Sequence, residues 1–237
     1  MTIFYAPDIL SNPFLPEEES AHCAKVLRMQ AGDVAHVIDG VGNLYEVRIV
    51  APHAKHTEVE ILSVQHDFGK RPFRLHLAVA PTKNIDRFEW FVEKATEIGV
   101  DEITPLCCRF SERRVIKPDR IEKIIVAASK QSYKAQVPRL NDMIDCDEFL
   151  RTVCESQRFI AHCYEGEKPH LLHVCPPASD VVVMVGPEGD FSREEVNLAL
   201  EQGFTAVTLG QSRLRTETAG VVACHLVTVV NEIGNKE

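Results

Sequence analysis

VVVMVGPEGDFS, residues Val181–Ser192, is the segment that decides the fold. Its apolar run predicts a buried strand, and the Gly-Pro-Glu-Gly that follows predicts a tight turn. Ser192 and Glu195 have the spacing of a capping box, so a helix is expected to begin directly after the turn. Glycines at a strand end let a ligand approach the backbone, and open α/β sheets bind ligands at that edge. The segment therefore predicts a ligand-binding loop, although alone it could also be a simple turn.

A second strand exit of the same kind follows. The predicted strand Ala206–Leu209 ends at Gly210, and RLRTETA at Arg213–Ala219 opens the last predicted helix, Thr216–Ile233. Two glycine-bearing exits predict one pocket that is lined by two loops. Neither exit carries the G-x-G-x-x-G fingerprint of dinucleotide binding or the Lys-Ser/Thr of a phosphate loop. Glu217, taken alone, could also serve only as a favourable charge at a helix start.

Strands and helices alternate through the rest of this region. The predicted strands are Phe73–Val79, Glu102–Leu106 and Arg158–Cys163, and the predicted helices are Ile85–Ile98, Pro118 to about Lys134, Cys146–Glu155 and Ser192–Gln202. Such alternation is typical of an α/β domain with a mainly parallel sheet covered by helices. We assign residues 73–237 to this domain.

The first 66 residues have a different pattern. Short β-like runs are separated by turn signals, at Thr2–Tyr5, Val34–Ile38, Leu44–Val50 and Thr57–Val64. One predicted helix, Glu17–Arg28, interrupts them, and Asp39–Gly42 reads as a hairpin turn. This pattern predicts a separate domain, residues 1–66, built as a small β-barrel with one helix. The polar and breaker-rich segment His66–Pro72 then reads as a linker.

Composition restricts the class of protein. In 237 residues no apolar run approaches the ~18 residues of a membrane span, and Met1–Leu10 lacks the pattern of a signal peptide. We therefore expect a cytoplasmic protein. The eight cysteines contain no C-x-x-C pair and read as free thiols in a reducing compartment. One alternative, a metal site, would use Cys163, His170, His173 and Cys175, but this spacing matches no known ligand pattern, so no metal is expected.

The charge distribution points to a polyanionic partner. The net charge is -9, yet residues 109–139 contain nine basic and three acidic side chains. On the predicted helix from Pro118, the basic side chains fall on one side and Ile121 and Ile125 on the other. We predict that an RNA backbone contacts these cations, which are Arg113, Arg114, Arg120, Lys123, Lys130 and Lys134. An ordinary solvated helix face is the alternative.

Several motifs together resemble one family. GPEGDFS at Gly186–Ser192, Leu209-Gly210 and RLRTETA at Arg213–Ala219 resemble the cofactor motifs of the RsmE-type 16S ribosomal RNA uridine-N3 methyltransferases, a branch of the SPOUT superfamily. Upstream segments agree, and they are HCAKVLRMQAGD from His22, EKATEIGVDEITPL from Glu93, SERR from Ser111 and AASKQSYKAQVPRL from Ala127. The likeness covers nearly the whole chain in order. Asp190 departs from it, because a second glycine is usual there.

The resemblance implies a fold and a function. The fold is an N-terminal PUA-like β-barrel followed by a C-terminal SPOUT domain with a trefoil knot, and the protein is a homodimer. The function is methylation of uridine N3 in 16S ribosomal RNA of the small subunit, with S-adenosylmethionine as methyl donor and no metal. The implied cofactor-binding residues are Val185, Gly186, Glu188, Gly189, Leu209, Gly210, Leu214, Thr218 and Ala219. Arg28 joins the predicted RNA-binding set.

Two residues are expected to carry the chemistry. Uracil N3 must lose its proton before or during methyl transfer, which places negative charge on the ring and its carbonyl oxygens. Arg215 is the expected donor that stabilises this charge, and Glu217 is expected to orient Arg215 or to accept the proton. Three alternatives remain open, namely a SPOUT enzyme with another RNA target, a non-catalytic RNA-binding module, and a nicotinamide-dependent dehydrogenase. The last lacks its fingerprint.

Overall fold

The computed structural model describes residues 2–234, and the contacts of the chain divide it into two compact units. The first unit combines residues up to Lys70 with Val126–Val137, and the second combines Arg71–Ile125 with the chain from Pro138. The division differs from the predicted domains 1–66 and 73–237 because of residues 126–137. Ala135 in that segment is buried in one cluster with Ile3 and Ile38, a long-range partnership that no local pattern reveals.

The first unit is built on a four-stranded mixed sheet. Its strands are β1 (Ile3–Tyr5), β2 (Val34–Ile38), β3 (Leu44–Ala51) and β4 (Glu58–Gln65), in that order across the sheet. β1 pairs in parallel with β2, whereas β2 and β3, and β3 and β4, are antiparallel. Alternate residues such as Val37, Tyr45 and Val47 point into one apolar cluster. All four strands were predicted within one or two residues.

The helix between β1 and β2 is shorter than predicted. α1 (Glu17–Ala21) continues as a π-helical turn, His22–Val26, and does not reach Arg28. Arg28 has a left-handed backbone with φ of 54°, which an α-helix cannot include. The helix predicted over roughly Glu17–Arg28 is therefore present but ends at Val26, and Arg28 lies exposed just after the helical segment.

A seven-stranded sheet forms the second unit. Its strands are β5 (Arg74–Val79), β6 (Glu102–Cys107), β7 (Arg139–Leu140), β8 (Ile144–Asp145), β9 (Gln157–Ala161), β10 (Asp180–Val185) and β11 (Thr205–Val207). The order is β11-β9-β10-β5-β6-β7, β8 also pairs with β6, and every pairing is parallel. The predicted parallel sheet is confirmed. β10, the strand of the fold-deciding segment, lies near its centre and is buried after Asp180.

Helices follow most of these strands. They are α2 (Ile85–Ile98), α3 (Pro118–Gln131), α4 (Cys146–Thr152), α5 (Leu171–Val174), α6 (Arg193–Glu201) and α7 (Thr216–Gly234). α2 and α7 pack closely, because a Cβ added at Gly220 would lie 2.6 Å from the ring of the buried Phe91. None of these helices, nor α1, is long and apolar enough to cross a membrane, within residues 2–234.

α3 ends three residues before the predicted end at about Lys134. α3 ends at Gln131, and Tyr133 then adopts φ of 57°, so Lys134 lies beyond the helix. The backbone N–H of Lys134 closes the helix end by donating to the carbonyl of Ser129 at 3.0 Å. Lys134 therefore does not continue the row of cations on α3. Ile121, Ile125 and Ala128 are buried on its apolar side, as predicted.

A buried polar network lies near the amino ends of the strands. His76 Nδ1 lies 2.5 Å from Glu155 Oε1, and His76 Nε2 lies 2.7 Å from Thr104 Oγ1. Asn141 donates to Thr104 Oγ1 at 2.7 Å and to Glu102 Oε1 at 2.6 Å. Burial raises the pKa of Glu155, but the hydrogen bond and charge of His76 outweigh it, so the pKa lies below its usual value.

Replacing Glu155 by glutamine is expected to destabilise the protein by ~1–3 kcal/mol at neutral pH, because a hydrogen bond to a charged group is lost. A carboxylate whose pKa is lowered on folding stabilises the folded state above its unfolded pKa of about 4.3, and that contribution is lost as pH falls through the folded pKa. The difference between wild type and Glu155→Gln should therefore shrink below about pH 4.3. Denaturant unfolding across pH measures it, and a difference that does not change with pH would contradict the role given to this carboxylate.

Candidate active site

A cavity of about 810 Å³ opens at the carboxyl ends of β9, β10 and β11. Three loops line it, one after each of these strands, and Arg87 of α2 adds one more side chain. The lining residues include Ala161–Tyr164, Lys168, Val185–Glu188, Asp190, Val207–Glu217 and Ala219. Both glycine-bearing exits singled out in the sequence thus meet at one cavity, at the edge where parallel sheets bind ligands.

The turn after β10 has a defined conformation. The N–H of Asp190 donates to the carbonyl of Pro187 at 2.9 Å and closes the turn. Glu188 lies in it, and its Oε1 accepts from the N–H of Lys83 at 2.9 Å. A side chain at Gly186 would be crowded, because a Cβ there would lie 3.0 Å from both the backbone nitrogen and the ring of Phe191. We call residues 186–190 the glycine turn.

A side-chain hydrogen bond joins the glycine turn to the last loop. Thr216 Oγ1, buried at the start of α7, donates to the carbonyl of Gly186 at 3.1 Å. On the other side of the turn, the predicted capping box is confirmed, since Ser192 and Glu195 exchange both bonds, at 2.6 and 3.2 Å. Glu195 also accepts from the N–H of Arg109 at 2.8 Å. These bonds hold the turn from both ends.

Asp190 stands where a second glycine is usual, and the structure explains why either residue suits this position. Its backbone has φ of 67°, a conformation that glycine adopts without strain and that aspartate tolerates better than most residues. Its carboxylate accepts from the N–H of Cys163 at 2.7 Å and from the N–H of Phe191 at 2.8 Å. Asp190 therefore connects the glycine turn to the loop that follows β9.

Replacing Asp190 by alanine is expected to destabilise the protein by ~1–3 kcal/mol, because the left-handed conformation is kept without the two hydrogen bonds. Asp190→Gly should be milder, since it loses the same bonds but relieves the backbone strain. Thermal unfolding of the two variants beside wild type measures the difference. Equal stability of Asp190→Ala and wild type would show that the carboxylate does not connect the two loops.

The last loop brings the expected chemical groups to the cavity. Arg215 is exposed and Glu217 is buried in the first turn of α7, and both line the cavity. Within residues 2–234, no ion pair or hydrogen bond joins their side chains. Glu217 is therefore not held by Arg215 in this structure.

The loop after β9 supplies residues that the sequence analysis missed. His162, Tyr164 and Lys168 line the cavity, and Lys168 Nζ donates to the carbonyls of both His162, at 2.9 Å, and Tyr164. Burial and the neighbouring Lys168 ammonium lower the pKa of His162 below its usual value. The position of β9 in the sheet was the signal that could have identified these residues. β9 pairs in parallel with β10, so the loop after β9 lies at the same carboxyl edge as the glycine turn.

Most predicted cofactor residues lie around the cavity, with two exceptions. Val185, Gly186, Glu188, Leu209, Gly210, Leu214 and Ala219 line it. Gly189 does not line the cavity, and the position of its missing Cβ lies 2.9 Å from Cβ of Phe110. Thr218 is half-buried in the first turn of α7 and also does not line it. Assignment of these residues to cofactor binding stays a prediction.

The predicted RNA-binding side chains are less uniform than a row of solvated cations. Arg113 donates to the carbonyls of Thr82 and Lys83 at 3.0 and 2.7 Å, so its side chain links its own loop to the backbone of these two residues. Arg120 pairs with Glu89 at 2.6 Å. Two of the predicted cations, Arg113 and Arg120, thus already have partners within the protein. Arg28, Arg114 and Lys123 are exposed, and RNA binding by the set remains a prediction.

Lys130, the next cation on α3, is also engaged. Its Nζ lies 2.5 Å from Oε1 of Glu19, and both side chains are largely buried within the first unit. A buried pair of this kind satisfies the charge of both partners and holds the side chain in place. Lys130 therefore has a structural role in the first unit, which a helical wheel of α3 alone could not indicate.

Two groups within residues 2–234 have ligand atoms close enough for a metal ion. One is Cys108, Cys146 and Glu195, and the other is His76, Glu102 and Glu155. Glu195 uses both oxygens in the capping box and the bond to Arg109, and His76 uses both ring nitrogens in hydrogen bonds. In this part of the chain, Cys163, His170, His173 and Cys175 form no such group.

Comparisons with known proteins agree with this geometry. The family model for the RNA methyltransferase domain matches residues 69–228, and the model for the RNA methyltransferase PUA domain matches residues 15–62. A probable rRNA-methyltransferase from Porphyromonas gingivalis superposes with a TM-score of 0.94 at 39% identity, covering 99% of this chain and all of the other. Ribosomal RNA small subunit methyltransferase E from Neisseria gonorrhoeae, solved with S-adenosyl methionine, gives 0.84 at 29% identity, with 98% of each chain covered.

A curated relative extends the comparison. Ribosomal RNA small subunit methyltransferase E of Bacillus subtilis is 26% identical over 234 residues, covering 91% of this chain and 89% of the relative. The chain thus combines a PUA domain with a parallel sheet whose loops surround a cavity at the carboxyl edge. Together these features define an RNA methyltransferase. Within that class, the chain belongs to the ribosomal RNA small subunit methyltransferase E family.

Proposed function

We propose that the protein transfers a methyl group from S-adenosylmethionine to N3 of a uridine in 16S ribosomal RNA of the small subunit. The observation that carries the proposal is the meeting of the two glycine-bearing loops and the Arg215–Glu217 segment at one cavity. The homologues add support, because they carry the name ribosomal RNA small subunit methyltransferase E and one is solved with S-adenosyl methionine. N3 as the target follows from the resemblance.

The cavity suits this cofactor in size and chemistry. Its volume, about 810 Å³, lies within the range of small-molecule sites, roughly 300–1,000 Å³. Apolar side chains of Val185, Leu209 and Leu214 can cover an adenosyl group. The carboxylates of Glu188 and Glu217 can offset a cation. When bound, the cofactor supplies an electrophilic methyl group on a positively charged sulfur.

The residues around the cavity can place and activate the target base. N3 lies on the Watson–Crick edge of uracil, so the base has to be unpaired or flipped to enter. Arg215, exposed at the cavity, donates to the carbonyl oxygens that become negative as N3 loses its proton. Glu217 lines the cavity and has no bond to Arg215, which favours a role as proton acceptor over that of orienting Arg215.

The exposed cations form the proposed contact with the RNA backbone. Arg114 and Lys117 are exposed between β6 and α3, outside ion pairs within residues 2–234. Replacing both by glutamine should weaken RNA binding and flatten its salt dependence, by about one unit of slope for each lost phosphate contact. Binding of small-subunit RNA at several salt concentrations measures this, and Arg113→Gln is the comparison, since Arg113 bonds to backbone. If the slope of RNA affinity against salt concentration is unchanged, this segment is an ordinary solvated surface and does not contact RNA.

Three features of the family are further parts of the proposal. We propose that the N-terminal sheet closes as a barrel, that the C-terminal domain contains a trefoil knot, and that two copies form a homodimer. Support for the dimer comes from α7, where Val222, Leu226, Val229 and Ile233 lie on the side away from its buried face and remain half-buried or exposed. Sedimentation equilibrium should then give twice the 26.6 kDa of the chain. The proposed ribosomal RNA substrate also supports a cytoplasmic location, which is part of the proposal.

Transfer of label tests the proposed function. The protein is incubated with methyl-labelled S-adenosylmethionine and small or large ribosomal subunits that lack native modification. Label should enter RNA of the small subunit and leave RNA of the large subunit unlabelled. Label in another RNA would indicate a different target within the same superfamily. Lack of both transfer and cofactor binding in calorimetry would favour a non-catalytic RNA-binding module.

A further inference from the structure

A large aromatic side chain is exposed beside the glycine turn. Phe110, in the loop between β6 and α3, has 47% of its surface exposed, although the residues on either side of the Arg109–Phe110 pair, Cys108 and Ser111, are buried. Exposure of so large an apolar ring costs solvation free energy that burial would recover. The ring is therefore a candidate for a binding contact rather than for the core.

Hydrogen bonds fix the backbone that presents this ring. The N–H of Cys108 donates to Ser111 Oγ at 3.0 Å, and the N–H of Ser111 donates to the carbonyl of Cys108 at 3.0 Å. The N–H of Arg109 donates to Glu195 Oε1 at 2.8 Å. Phe110 lies between these anchored residues, so its backbone is held in place at the surface.

Contact with Gly189 sets the position of the ring relative to the cavity. A Cβ at Gly189 would lie only 2.9 Å from Cβ of Phe110, so the loop packs directly on the backbone of the glycine turn. Glu188, the preceding residue, lines the cavity. The loop that carries Phe110 thus packs against the residue next to Glu188, in the wall of the site where methyl transfer is proposed.

The surroundings of the ring carry positive charge. Arg109 and Arg114 are exposed in the same loop, and Arg113 ties it to the carbonyls of Thr82 and Lys83. Glu112 is the one acidic residue of residues 109–117, and it pairs with Lys83 at 2.7 Å. An aromatic face among cations is the combination that binds single-stranded nucleic acid, where bases stack and phosphates meet Arg or Lys.

We propose that Phe110 stacks on an unpaired base of the RNA substrate at the mouth of the cavity, and so positions the strand that delivers the target uridine. The inference rests on the proposed function and deepens it, because it names the residue that grips the RNA beside the reaction site. Phe110 is a positioning residue, and the base it holds is either the target or its neighbour in the strand.

Three substitutions separate stacking from packing. Phe110→Leu keeps apolar bulk against Gly189 but removes the aromatic face, Phe110→Trp keeps it, and Val115→Ala removes an exposed apolar side chain elsewhere in the loop. Phe110→Leu should raise the KM for unmodified small subunits about ten-fold, the size of one lost stacking contact, with cofactor affinity and Tm unchanged. Phe110→Trp and Val115→Ala should remain within about two-fold of wild type.

Fluorescence gives a second readout, which does not depend on methylation activity. The chain has one tryptophan, so Trp90→Phe combined with Phe110→Trp leaves a single reporter at position 110. Titration with unmodified small-subunit RNA should quench it if a base stacks on the ring. Absence of quenching, or equal KM values for Phe110→Leu and wild type, would overturn the inference while wild-type methylation still stood. A change of oligomeric mass in Phe110→Leu would overturn it in favour of a contact between copies.

Discussion

Replacing Arg215 by alanine is expected to slow methyl transfer by ~10²-fold or more, the usual cost of losing one donor to a developing negative charge. Arg215 is exposed at the cavity and, within residues 2–234, holds no other side chain, so its removal should leave the fold intact. It acts more strongly on the transition state than on the bound substrate, and cofactor and RNA affinities should therefore change little. Single-turnover methylation at saturating cofactor and RNA measures the effect.

Glu217→Gln completes the comparison. If the carboxylate accepts the N3 proton, this variant should be about as slow as Arg215→Ala and should have an altered pH profile. A mild effect with an unchanged profile would show that Glu217 only orients its neighbour or stabilises the start of α7. Wild-type rates in Arg215→Ala under single-turnover conditions would remove Arg215 from the mechanism, while the methyltransferase assignment would survive.

Replacing Gly186 by valine is expected to lower cofactor affinity by about ten-fold or more, a loss of ~1.4 kcal/mol for each factor of ten. A Cβ at this position already meets backbone nitrogen and ring of Phe191 at 3.0 Å, and two further methyl groups need more space than the turn has. This crowding can be relieved only if the glycine turn moves. The turn is held, however, by the hydrogen bond from Thr216 to the carbonyl of Gly186. Overpacking of this kind also costs ~1–3 kcal/mol of stability.

Gly186→Ala provides a graded control, because it adds only the Cβ and should fall between wild type and Gly186→Val. Calorimetry with S-adenosylmethionine and thermal unfolding are measured on all three proteins. Unchanged cofactor affinity in a folded Gly186→Val protein would show that this turn does not hold the cofactor.

Local patterns predicted much of the fold and the place of the site. The apolar run before Gly186, the capping box at Ser192 and the glycine at 210 are contiguous signals, and each strand or helix they mark is present. Parallel pairing then brings their ends together, so the cavity was predictable from strand exits alone. Short elements such as β7, β8 and α5 gave no periodic signal, because two to four residues are too few.

Contacts between distant segments were not predictable. Lys130 looks like a solvated cation on a helical wheel, yet it pairs with Glu19, and Arg113 bonds to carbonyls that lie about thirty residues earlier. Gly189 looks like part of the ligand site, yet it makes room for Phe110. In each case residue type and spacing were identified correctly, but the partner depends on tertiary packing that a single sequence does not display.

Identification of the methylated nucleoside is the decisive test of the proposed methylation of uridine N3. RNA of unmodified small subunits, incubated with the protein and S-adenosylmethionine, is digested to nucleosides and analysed by mass spectrometry. We expect 3-methyluridine in the small-subunit RNA, produced by wild type and strongly reduced with Arg215→Ala. A methyl group on a ribose hydroxyl or on another base, or no methylated product from a protein that binds the cofactor, would contradict it.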